Sequence, residues 1–129
     1  VEEAKKYLSD VKKEDMNAKN IIGICLTATR GLYLFRTGFH DIGRQLYLEA
    51  MKMSKEVGDV NLNSLALINY LREEILVGSE DISETIPNLD KIIKHNEGED
   101  IAEQAKEVLK LYNESKLRGE EAKSEIESK

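Results

Sequence analysis

Apolar side chains recur along this chain at intervals of three and four residues, the spacing of one helix face, in six blocks separated by small or polar residues. Ala4, Tyr7, Leu8 and Val11 form a single stripe with Lys and Glu outside it, which predicts a helix over 1–13. A second helix is predicted over 18–37, capped by Asn17 or Asn20 and ended by Gly38. The third, over 39–57, opens at Asp41 or around Thr37 and stops at Gly58 and Asp59. The fourth, 60–77, carries Leu62, Leu65, Ala66, Ile68, Tyr70, Leu71, Ile75 and Leu76 on more than one side. Such a helix is buried among neighbours and belongs in the middle of a stack.

The fifth helix, 82–96, contains Pro87, which inside a helix costs about 3 kcal/mol. Placing Ser83 at the N-cap puts Pro87 in the first turn, where amide donors lack intrahelical partners anyway. Gly98 ends this helix, and Glu99 and Asp100 open the sixth, with Ile101, Ala105, Val108, Leu109 and Tyr112 as its inner stripe. Beyond Asn113 only Leu117, Ala122 and Ile126 are apolar, too sparse for a core. The chain therefore reads as a helical domain over 1–112 and a charged C-terminal extension over 113–129, either a solvated helix or a linker. The first helix looks like the closing half of a pair whose partner has been cut away, and Val1 in place of an initiator Met suggests a fragment of a longer chain.

The blocks repeat. A shift of about 39 residues superposes small or apolar positions along the chain. Ala4, Gly43 and Ile82 align, as do Leu8, Tyr47 and Ile86, and Val11, Ala50 and Leu89; in the alternate helices Thr27 meets Ala66 and Ala105, and Gly31 meets Tyr70 and Leu109. Leu34, Glu73 and Tyr112 break the pattern at one position. The central unit has the most specific sequence, running from Gly31 through Gly38 and Gly43 to Tyr47 and Ala50. It resembles the core of the tetratricopeptide repeat family over residues 24–57. In that family, small residues sit where two helices cross closely and a bulky one fills the hole between them.

The resemblance implies an all-α fold, a right-handed stack of helix pairs with about six helices and an elongated period. It further implies a non-catalytic scaffold whose concave groove takes a partner helix or peptide. Carried over from the family, the groove positions are Cys25, Ala28, Thr29, Leu32, Phe35 and Arg36 in the central unit, with Asn63, Leu67, Ile68, Leu71, Glu74 and Ile75 in the next. Ala28, Leu32, Phe35, Arg36, Asn63, Leu67 and Leu71 are the candidate partner-binding residues. Only Arg36 and Asn63 are of the types with which some family members clamp a terminal carboxylate, so an apolar groove for an amphipathic helix is expected instead. A terminal helix covering those residues is the competing arrangement. Self-association through the N-terminal helix edge and the charged tail, or a sensor domain for a small peptide, are the alternative functions.

Composition narrows this further. Of 129 residues 40% are hydrophobic and 34% charged, with no Trp, one Pro and one Cys. The longest apolar run, Ile21 to Ala28, is too short to span a bilayer, and no secretory signal opens the chain, so a cytoplasmic location without membrane association is expected. Cys25 cannot form an internal disulfide and reads as a small buried hydrophobe. His40 and His95 have no ligand at i+3 or i+4, so no metal and no cofactor is expected. Phosphate loops, HExxH, GxSxG and CxxC are all absent, and adjacent acids such as Glu73 and Glu74 diverge by about 100° on a helix. No enzyme activity is expected. The net charge of −6 disfavours nucleic acid, although the segment from Asn17 to Val57 is +3 against −9 for the rest, enough to steer an acidic partner segment.

Overall fold

A computed structural model describes residues 13–79 and 82–127; the helix expected over 1–13 lies almost wholly outside the described residues. Every element among them is helical: α1 Lys13–Arg36, α2 His40–Glu56, α3 Val60–Val77, α4 Pro87–His95 and α5 Asp100–Glu127. The described chain thus holds five helices where six are expected of the whole. By compactness it divides into two units, residues 1–66 and 67–129, with α3 running across the division.

In the first unit α1 packs along α2. α2 buries Gly43, Tyr47, Ala50 and Ser54, four residues spaced to share one stripe, and α1 presents Ile24, Gly31 and Phe35 to the interior. The crossing point is set by two glycines. A Cβ on Gly43 would lie 2.8 Å from the Gly31 carbonyl oxygen and 2.9 Å from the Phe35 amide nitrogen, and one on Gly31 would lie 3.0 Å from the Gly43 carbonyl oxygen. Backbone meets backbone here, which no larger residue permits. Tyr47 fills the space beside this contact, its ring 5.9 Å from that of Phe35. Gly31, Gly43 and Tyr47 thus lie at the close crossing of this helix pair, whereas Gly38 lies in the turn that ends α1.

Helix endings recur with equal regularity. After α1, Gly38 donates to the Phe35 carbonyl and Phe39 to Leu34; after α2, Gly58 donates to Lys55 and Asp59 to Ser54; after α3, Gly78 donates to Ile75 and Ser79 to Glu74. These paired bonds satisfy the last free carbonyls and require a left-handed residue, supplied by Gly58 at φ 76° and by its two counterparts. The three glycines fall at 20-residue intervals, and Gly98 continues the series in the turn after α4. Asp59 also opens α3, its carboxylate accepting from the Leu62 amide at 2.9 Å.

Several boundaries differ from expectation. α1 starts at Lys13, so Asn17 and Asn20 are interior rather than capping, because nothing between Lys13 and Asn17 interrupts the helix. α2 is preceded by Phe39 with no side-chain cap, while Asp41 pairs with Arg44 at 3.0 Å. α4 begins at Pro87 and not at Ile82. Proline has no amide to bond the Ser83 carbonyl, so the regular ladder starts with it and Ile82–Ile86 forms a turn; Ser83 is not the cap. Past Tyr112, α5 continues without a break to Glu127, which makes the extension helical.

In the second unit α4 packs against α5. Ile82, Ile86, Leu89 and Ile92 are buried on one side and Ile101, Ala102, Ala105 and Val108 on the other. The 39-residue shift pairs buried positions at Gly43 with Ile82, Tyr47 with Ile86, Ala50 with Leu89, Ala66 with Ala105 and Gly31 with Tyr70, but Thr27 and Leu109 are only half-buried, and Ala4, Leu8 and Val11 lie outside the described residues. Phe35 likewise falls on Glu74, where a carboxylate replaces a ring.

Candidate functional site

The seven candidate residues separate between the units, Ala28, Leu32, Phe35, Arg36 and Asn63 in the first and Leu67 and Leu71 in the second. On α1, Ala28 and Leu32 are half-buried and Arg36 is exposed, forming an edge beside the buried stripe. Phe35 is instead a core residue, stacked between the Gly43 crossing, Tyr47 and the His40 ring at 5.8 Å, with the Arg44 guanidinium 5.9 Å above its face. Its aromatic bulk is what closes the helix pair.

Asn63 is occupied structurally. Its side-chain amide donates to the Met51 carbonyl at 2.9 Å and to the Ser54 hydroxyl at 3.2 Å, tying α3 to α2. Leu67 is half-buried, and Leu71 is fully buried, as is Ile68. Among the additional groove positions Cys25 and Thr29 are exposed. Cys25 is therefore not the buried hydrophobe its neighbours Ile24 and Leu26 suggest, because it lies about 100° around α1 from Ile24 and so off the stripe that packs on α2.

Two acids are buried against the expectation for their residue type. Glu73 and Glu74 are 4% and 3% exposed on α3. Glu74 accepts from the Tyr70 hydroxyl at 2.8 Å and from the Ser79 hydroxyl at 2.9 Å, so both its oxygens are held by neutral donors. The spacing of Tyr70 four residues before Glu74 is the only sequence signal for this arrangement.

Open clefts among the described residues include one in each unit. One of about 370 Å³ lies in the first unit between Ile21 and the corner formed by Val57, Gly58, Asp59, Val60 and Asn61. The other, about 350 Å³, lies in the second unit, floored by Ile75 and Ile82 and edged by Ser79, Tyr112, Ser115 and Lys116. Among the described residues no three His, Cys, Asp or Glu side chains converge as metal ligands, and no helix is long and apolar enough to cross a membrane.

Sequence reasoning missed the opposite side of α1. Ile22, Leu26 and Tyr33 are exposed there, Tyr33 by 67%, and they keep helical spacing along one line with Thr29, itself one of the expected groove positions. The signal was the run Ile21 to Ala28, apolar on both faces where a helix with a single buried side would alternate. No protein-family model matches the chain, and no curated protein or solved structure matches it.

Proposed function

We propose that this chain is a helical-repeat interaction module that holds a partner helix or peptide along the exposed edge of α1, without chemistry of its own. The observation that carries this is the glycine-on-glycine crossing of α1 and α2 with Tyr47 and Ala50 filled in behind it. A close crossing presents one helix edge as a shallow, rigid wall, and the coincidence of buried positions under the 39-residue shift supports a second pair built on the same plan. Half-buried Ala28 and Leu32, with exposed Arg36 one turn further, give an apolar strip ending in a cation, suited to an amphipathic segment. Phe35, buried where α1 packs on α2, supports that edge from within.

The test uses Leu32→Glu beside Gln45→Glu, a control on the exposed side of α2. With melting curves of both variants overlapping the wild type, Leu32→Glu is expected to lose a partner that the wild type and the control recover from extracts of the source cell and then bind as purified proteins. Equal binding by all three removes this edge from consideration.

A further inference from the structure

We propose that the outer face of α1 is a second docking surface, and that it receives an acidic amphipathic helix of another protein. Ile22, Leu26, Thr29 and Tyr33 follow one another at steps of four, three and four residues, so they fall within about 60° of one another around the axis. Ile24, Gly31 and Phe35, the residues turned toward α2, lie about 180° away. α1 is thus apolar on two opposed faces, and α2 takes only one. The open one runs about 16 Å from Ile22 to Tyr33, three helical turns, which matches the anchor spacing of a single docked helix.

Charge selects the partner. From Asn17 to His40 the chain contains no Asp or Glu, although its net charge is −6. Arg30 is exposed at the edge of the face and Arg36 in its last turn. A positive strip on an acidic molecule draws an acidic segment to this helix, while the remaining surface repels it. A second copy of the chain fits poorly, since a two-fold pairing of these faces brings basic side chains together with no acid between them.

The probe is a synthetic 18-residue peptide, roughly five helical turns, with Leu at four positions of one face and Glu on both flanks. A matched peptide carries Lys in place of Glu. Fluorescence anisotropy with the full chain is expected to show the acidic peptide binding about tenfold or more tightly than the basic one. Leu26→Glu should weaken it by more than about tenfold, and Arg30→Glu by about fivefold, the latter shrinking as salt rises. Both side chains are exposed, so the melting curves should not move. Leu32→Glu should leave this affinity unchanged, which separates the outer face from the edge formed by Ala28 and Leu32.

Five results overturn the proposal. Four of them are equal affinity for the two peptides, no binding of either, indifference to Leu26→Glu, and a dimer in sedimentation that Leu26→Glu disperses. A Leu8→Glu substitution that raises peptide affinity more than about tenfold also overturns it, by making the N-terminal segment the occupant.

Discussion

Replacing Gly43 by alanine is expected to destabilise the first unit by about 3 kcal/mol, at the upper end of overpacking penalties. The added methyl meets the Gly31 carbonyl oxygen at 2.8 Å and the Phe35 amide nitrogen at 2.9 Å, and both are backbone atoms of a helix. No rotamer change relieves such a clash; α1 and α2 must move apart, which loosens Tyr47 and Ala50 as well. Gly23→Ala in the same helix is the contrast. Its methyl would have nothing within 4 Å, so the gain in helix propensity, about 0.5–1 kcal/mol, should appear as added stability. Urea unfolding followed at 222 nm measures both. Similar shifts for the two variants would mean that the crossing is not close.

The second large effect is expected at Leu71, where a change to glutamate should remove about 3–5 kcal/mol, much of the stability of a domain this size. Leu71 is fully buried, and an added carboxylate there enters an interior that already holds Glu73 and Glu74 on the same helix. The new charge must either stay unsolvated or take up a proton, and each costs stability. Thermal melting should show a strongly lowered transition or none at room temperature. A melting curve like that of the wild type would mean that Leu71 faces solvent. Failure of a Leu71→Glu variant to bind a partner therefore reports unfolding, and surface variants such as Leu32→Glu are the informative ones.

How far the sequence discloses this molecule depends on which force decides each feature. The limits of α3 are legible because glycine, which ends the helix before it and the helix itself, and Asp59 at its start act locally. The roles of Gly31, Gly43, Tyr47 and Ala50 are legible because a close crossing admits few residue types. Pro87 as a helix start is only half legible: the ring's exclusion from a helix interior is local, but whether Ile82–Ile86 winds fully is settled by packing. Phe35, Leu71 and Cys25 show the limit for the site. Their helices are apolar on more than one side, so periodicity cannot say which side is covered, and only the neighbours do. The burial of Glu74 is hidden for a related reason, because hydrogen bonds from Tyr70 and Ser79 compensate a burial that composition argues against.

The most direct test of the repeat is a comparison of two distances in one protein. Spin labels at Arg30 and Glu49 span the α1–α2 pair, and labels at Asn69 and Asn88, the same positions shifted by the repeat, span α3 and α4. Double electron–electron resonance should give two distributions whose means agree to within about 3 Å, two residue steps of a helix axis. Means that differ by the width of a helix, about 10 Å, would contradict a second pair built like the first.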